Sequence, residues 1–185
     1  TIYGMYFTAF YYNSTANNNN INIASATGST VYGMYASTSL YSTYYNNNTI
    51  NIPNSIGIAY GMSMNSMYQN DQNNNNIINV GTGTPGGTTG NKWGIYYAGA
   101  STSGGMINNN IINVASSSGN QYGIQATSYY GDAILIRAQI VANKINITGT
   151  TSLQSWGMNN TAFYGTSSQP RNLWNLVANN FITQS

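Results

Sequence analysis

The chain repeats one short pattern six times, and this repetition limits what it can fold into. In each copy an aromatic residue is followed by glycine and then by Met or Ile, and successive copies are 29, 28, 33, 29 and 34 residues apart. Intervals of this size that vary by a few residues are typical of a solenoid whose loops differ in length. The six triplets are Tyr3-Gly4-Met5, Tyr32-Gly33-Met34, Tyr60-Gly61-Met62, Trp93-Gly94-Ile95, Tyr122-Gly123-Ile124 and Trp156-Gly157-Met158.

A column of asparagines follows the triplets. Each of these residues stands two positions before an Ile, and in five repeats the next residues alternate between apolar and polar. This alternation predicts a strand with one buried face. Because Asn tolerates the left-handed backbone region and its amide both donates and accepts hydrogen bonds, we expect the column to form a stacked ladder at a bend. The ladder residues are Asn19, Asn48, Asn76, Asn110, Asn143 and Asn180.

The turn chemistry favours parallel stacking of these strands. No Asn is followed by Gly, although Asn-Gly is the strongest signal for a tight antiparallel hairpin. No stretch keeps the 3.6-residue apolar period of a helix. We therefore predict an all-β solenoid of about six coils with an Asn ladder. In each triplet we expect the aromatic residue and the Met or Ile to face the core, with the glycine facing outward or lying at a bulge.

Charged residues are scarce, and this scarcity excludes several classes of function. The 185 residues contain four Lys or Arg, two Asp, no His and no Cys, so the net charge of +2 is the remainder of very few charges. Nucleic-acid binding needs several basic residues along one face, and we expect none. The longest apolar runs are also far shorter than the ~20 residues of a membrane span. The charged residues are Lys92, Arg137, Lys144, Arg171, Asp71 and Asp132.

Both ends of the sequence fall inside the repeat pattern. We therefore expect residues 1–185 to be a single solenoid segment and a fragment of a longer array, because a free solenoid needs polar caps at its ends. Its surface of Asn, Ser, Thr, Gly and Tyr suits an extracellular or cell-surface location. The absence of Cys agrees with this, because a solenoid builds its core by stacking rather than by disulfides.

The alternating Asn-Asn-x-Ile-Asn-Ile and Tyr-Gly-Met columns resemble those of right-handed parallel β-helix repeat proteins of the pectin-lyase-like superfamily. More narrowly, they are similar to the Asn-rich secreted or surface repeat proteins that gliding bacteria export by type IX secretion. The resemblance covers all six repeats, although Ala142 breaks the Asn doublet and Thr183-Gln184 break the last strand. It implies a right-handed parallel β-helix and contact with the secretion machinery during export. It implies no activity, because that superfamily includes polysaccharide-cleaving enzymes, adhesins and surface stalks.

Candidate catalytic residues are few. Asp71 and Asp132 fall in nearly the same column two coils apart, which predicts a separation of ~10 Å, beyond the ~6.5–9.5 Å of an inverting glycosidase pair. Two carboxylates do not fill a calcium site, and the chain has no zinc ligands. We therefore predict no catalytic residue, no metal and no cofactor, and a non-catalytic structural or adhesive rod. The alternative is a carbohydrate-binding or polysaccharide-degrading β-helix.

The residue after each Met or Ile is the candidate binding position. Alternation turns it outward, and three of the six are tyrosines: Tyr6, Tyr35 and Tyr96. Exposed Tyr beside Asn and Gln suits stacking on sugars and hydrogen bonding to their hydroxyls. The expected partners are therefore glycans or other copies of the chain.

Overall fold

A computed structural model describes residues 1–28, 30–65, 71–83, 88–98, 105–127, 129–131, 139–149, 154–160, 163–165 and 176–185. Within these ranges the chain is a parallel β-solenoid, in which each turn stacks its strands on the equivalent strands of the next turn. The predicted all-β solenoid is confirmed. Its right-handedness stays a prediction.

Three sheets form the wall of the solenoid. The first contains β1 (Ile2–Phe7), β4 (Thr30–Ala36), β7 (Ile58–Asn65), β10 (Lys92–Ala98), β13 (Gln121–Thr127) and β17 (Ser155–Asn160). The second contains β8 (Gln72–Asn74), β11 (Met106–Asn108), β15 (Gln139–Val141) and β19 (Leu176–Ala178). The third contains β3 (Asn20–Asn22), β6 (Thr49–Ile52), β9 (Ile77–Val80), β12 (Ile111–Ala115), β16 (Lys144–Thr148) and β20 (Phe181–Gln184). Two short pairs complete the strands: β2 (Phe10–Tyr11) with β5 (Ser39–Leu40), and β14 (Tyr129–Gly131) with β18 (Phe163–Gly165).

The expected count of six coils needs a correction. Four turns of the described chain have a strand in all three sheets, since the second sheet contains four strands. In the first two turns the second sheet is reduced to single β-bridges, one between Thr15 and Tyr44 and one between Tyr44 and Gln72. The last strand is longer than expected, because β20 runs to Gln184 and pairs with Ile147 of β16.

The Asn ladder is confirmed at all six positions. In the first five of these residues the backbone N–H and the side-chain Nδ2 both donate to Oδ1 of the Asn one turn later, at 2.8–3.1 Å, and Asn180 is the last acceptor. Asn48, Asn76 and Asn110 are fully buried. The bend itself lies one residue earlier than expected, because the positive φ of 55° to 60° belongs to the preceding residue. Those bend residues are Asn18, Asn47, Asn75, Asn109, Ala142 and Asn179.

The core-facing orientation predicted for the aromatic residue is wrong, and of the two alternatives left open for the glycine the outward one is wrong. In β4, Gly33 and Met34 are both buried while Tyr32 is partly exposed, so the in–out alternation slips by one residue at the glycine. A Cβ on Gly33 would lie 2.3 Å from Ile50 Cγ2 and 2.6 Å from the carbonyl oxygen of Gly61. The glycine thus faces the core and permits a close approach between turns, and the aromatic ring is placed outside.

Candidate functional site

The outer face of the first sheet carries a continuous stack of aromatic rings. Successive ring centroids are 5.1, 4.9, 4.6, 4.9 and 4.7 Å apart, and the planes lie within 16° of parallel. This spacing follows from the distance between neighbouring strands, and each pair adds ~0.5–1.5 kcal/mol beyond area burial. The stacked rings belong to Tyr3, Tyr32, Tyr60, Trp93, Tyr122 and Trp156.

The three predicted glycan-contact residues lie beside this stack, on the same outer face. Tyr6 pairs in register with Tyr35, and Tyr96 is separated from Tyr35 by Ser63. Tyr6 is 50% exposed, whereas Tyr35 and Tyr96 are partly buried. Their expected outward orientation is confirmed, and contact with a glycan stays a prediction.

These tyrosines lean against the stack rather than standing free. Tyr6 lies 4.8 Å from Tyr3 at 45°, and Tyr35 lies 4.9 Å from Tyr32 at 61° between ring planes. The Tyr35 hydroxyl also accepts a hydrogen bond from Asn65 Nδ2 at 3.1 Å. Because the stacked rings cover one another's faces, the outer face offers a ligand ring edges and hydroxyls more than open ring faces.

The phenols of Tyr60 and Tyr32 stay protonated in the physiological pH range. Burial, assisted by the neighbouring phenols of Tyr32 and Tyr96, raises the pKa of Tyr60 to about 12. Burial also raises the pKa of Tyr32, with smaller contributions from Tyr3 and Tyr35. A protonated phenol both donates and accepts hydrogen bonds, which suits a neutral polar ligand.

Asp71 has a structural environment. It is fully buried, and its Oδ1 accepts hydrogen bonds from the Thr43 backbone N–H at 2.8 Å and from the Thr43 hydroxyl at 2.5 Å. It therefore ties one turn to the next. Asp132 lies outside the described residues, so the expected separation of the two carboxylates stays a prediction. In the part of the chain that the structure describes, no group of three or more His, Cys, Asp or Glu is arranged to hold a metal ion.

Lys92 is a buried charged residue that the sequence reasoning missed. It is fully buried in the inward column of the first sheet, in register with Ala59 and Gln121. Its Nζ donates to the carbonyl oxygens of Gly57 at 2.7 Å and of Gly90 at 3.2 Å, and also to that of Thr89. Burial lowers the pKa of Lys92 to about 8. Lys92 directly precedes a triplet. Because neighbouring side chains in a strand point to opposite faces, its inward position can be predicted only when the aromatic ring of the triplet is known to face outward.

A small cleft lies at the corner that follows the third sheet. It encloses about 250 Å³ and is lined by glycines and hydroxyl side chains, including Gly81, Thr82 and Ser116. The Ser116 hydroxyl is engaged within the wall, since it donates toward the carbonyl oxygens of Thr88 at 3.1 Å and Gly90 at 2.8 Å. The cleft therefore has less free hydrogen-bonding capacity than its composition indicates.

Comparisons with known proteins assign neither a family nor an activity to this chain. No family model matches it, and no curated protein or solved structure matches it either. Among the described residues there is no helix long and apolar enough to cross a membrane. What the outer face does is therefore inferred from its own residues.

Proposed function

We propose that the chain is a non-catalytic rod of an extracellular or cell-surface protein, with a structural and adhesive role. The observation that carries this proposal is that uncharged residues repeat at the same position in successive turns and stack on one another. The Asn side chains stack inside the wall, and the aromatic rings stack outside it. Such a stack depends only on contacts between neighbouring turns and can extend to any length. It suits spacing and attachment better than chemistry.

The absence of catalysis is the first part to test. Asp71 is sealed inside the wall and the sequence contains no His or Cys, which removes the commonest general base and the thiol nucleophile. We expect no turnover on a panel of neutral and acidic polysaccharides. Turnover that disappears in Asp71→Asn or Asp132→Asn would contradict the proposal, provided that the variant keeps its β-sheet circular dichroism.

The location and the export route are proposed from the sequence resemblance. Membership of the pectin-lyase-like superfamily, the right-handed winding and type IX secretion are supported by the Asn and triplet columns. Further copies of the chain and the secretion machinery are the expected protein partners. The test is fractionation of source cells with an antibody to the solenoid, together with protease treatment of intact cells. Antigen that is protected inside intact cells and absent from the medium would sink the extracellular assignment.

Carbohydrate binding is the second candidate function, favoured by the aromatic outer face. The phenols of Tyr35 and Tyr96 lie on one surface with Asn and Gln side chains in the same columns. A glycan array should show binding that falls at least tenfold in the Tyr35→Ala/Tyr96→Ala variant. Ser63→Ala, in the same column, is the matched control and should bind as the wild type does. Equal binding by all three proteins would remove this candidate.

A further inference from the structure

Four segments of the chain match the acceptor motif for N-linked glycosylation. The motif is Asn, then any residue except Pro, then Ser or Thr, and a segment that carries a glycan must lie at the surface. Because the motif also arises by chance in a chain rich in Asn, Ser and Thr, the surroundings of each Asn decide which copies can hold a sugar. The four motifs begin at Asn13, Asn47, Asn146 and Asn159 and end at Thr15, Thr49, Thr148 and Thr161.

Two of these asparagines present an unengaged amide to solvent. Asn13 and Asn47 are both exposed, and φ angles of 59° and 58° place them at left-handed bends. Their backbone N–H groups are anchored to the next turn, by hydrogen bonds to the carbonyl oxygens of Tyr41 at 3.1 Å and Asn74 at 3.0 Å. Neither side-chain amide has a hydrogen-bond partner among the described residues. The nitrogen that would carry the sugar, Nδ2, is therefore accessible at both positions.

The third asparagine is engaged with side chains of the two neighbouring turns. Asn146 is partly buried, its Nδ2 donates to Asn113 Oδ1 at 2.6 Å, and its Oδ1 accepts a hydrogen bond from the Thr183 hydroxyl at 2.6 Å. To enter the active site of a transferase, this amide would have to leave the column and break both bonds. It is therefore a poorer acceptor than Asn13 or Asn47. The fourth motif includes Thr161, which lies outside the described residues.

We propose that Asn13 and Asn47 are acceptor sites for N-linked glycans. In this reaction a bond forms between Nδ2 and the anomeric carbon of an oligosaccharide held on a polyprenyl diphosphate. The bond from that carbon to the diphosphate breaks, the diphosphate leaves with the lipid, and Nδ2 gives up one proton. The chain supplies only the acceptor amide. The inference rests on the extracellular location proposed above, because this modification belongs to secreted chains.

The bend beside the Asn ladder contains a matched control. Asn75 lies one turn after Asn47, is also exposed and has nearly the same φ, 57° against 58°. Its side-chain amide has no hydrogen-bond partner among the described residues either. The two sites differ in the residue two positions later, which is Thr49 after Asn47 and Ile77 after Asn75. Ile77 is 41% exposed and pairs in register with Thr49, so exchanging these two residue types changes little packing.

The test is glycopeptide mass spectrometry of the full chain recovered from its source cells and their medium, with variants produced in the same cells. We expect a glycan on Asn13 and on Asn47, and an occupancy at Asn146 at least tenfold lower. Thr49→Ile should abolish the glycan on Asn47, and Ile77→Thr should create one on Asn75. Peptide-N-glycosidase, which converts a glycosylated Asn to Asp, checks the linkage. The second variant keeps the test decisive if the first fails to fold.

The contradicting results separate this inference from the proposed location. Unmodified Asn13 and Asn47 in a chain recovered from outside the cells would overturn the glycan sites and leave the extracellular assignment standing. An unmodified chain found only inside the cells would overturn both. Equal occupancy at Asn146, or no glycan on Asn75 in Ile77→Thr, would show that motif and accessibility together do not select the sites, and the proposal would fall.

Discussion

Two corners of the solenoid, one beside the Asn ladder and one after β2 and β5, adopt the same left-handed backbone conformation with opposite choices of residue. At the corner beside the Asn ladder, five of the six bend residues are Asn, which tolerates positive φ. At the turn after β2 and β5, the positions are filled by Tyr12 and Tyr41. At the ladder corner the residue suits the backbone, whereas at the second corner bulky residues occupy a region that disfavours them. The difference teaches that the choice of residue at the ladder corner follows from folding alone, and that function is to be sought where the chain departs from this rule.

The largest expected effect tests the inner side of this comparison. Asn76→Ala removes the acceptor of the buried Asn48 N–H and Nδ2 and one donor to Asn110, which should cost about 3–5 kcal/mol of unfolding free energy. The matched control is Asn79→Ala, in a partly exposed ladder on the outer side of the same turn, with an expected cost of about 1 kcal/mol. Chemical denaturation measures both. Equal losses would break the distinction between inside and outside.

The pH dependence of the free energy of unfolding compares the buried amine of Lys92 with the phenol of Tyr60 on the outer face. Burial lowers the pKa of Lys92 from 10.5 to about 8, so between these values the unfolded chain holds a proton that the folded chain has released. The free energy of unfolding should therefore rise from pH 8 to pH 10, by about 1–2 kcal/mol after allowance for solvent screening. Above pH 10 it should fall, because the pKa of Tyr60 is raised to about 12 and the folded chain keeps a proton that the unfolded chain loses.

Variants assign the two slopes. Lys92→Met should abolish the rise and keep the fall, whereas Tyr60→Phe should weaken the fall and keep the rise. A rise of undiminished size in Lys92→Met would show that another group is responsible.

The smallest expected effect sharpens the comparison at the backbone. Ala142 occupies the bend position with φ of 55° and is exposed, so its replacement changes little packing. Ala142→Asn should stabilise the chain by about 1 kcal/mol, and the reciprocal Asn75→Ala should destabilise it by a similar amount. Thermal denaturation of the two variants is the measurement. Changes of the same sign would mean that φ is not what selects Asn at this corner.

The sequence predicted the ladder because identical residues at equal positions have one simple arrangement, stacking. Orientation in the first sheet was harder, because a period of two breaks without warning where Gly33 and Met34 both face inward. Burial of Lys92 was missed for the same reason. The turn at Tyr12 could not be predicted from the sequence, because Tyr-Asn is not a typical turn dipeptide. The turn is held by a hydrogen bond from the Asn13 N–H to the Tyr41 carbonyl oxygen of the neighbouring turn.

The inner ladder is the central element of this account, and amide hydrogen exchange tests it most directly. The backbone N–H groups of Asn48, Asn76 and Asn110 each donate to a buried side-chain oxygen one turn away. We predict that these three amides exchange only through global unfolding, with protection equal to the largest in the protein. Exchange of these amides at the rate of exposed loop amides would contradict the ladder, and with it the parallel stacking that the ladder holds together.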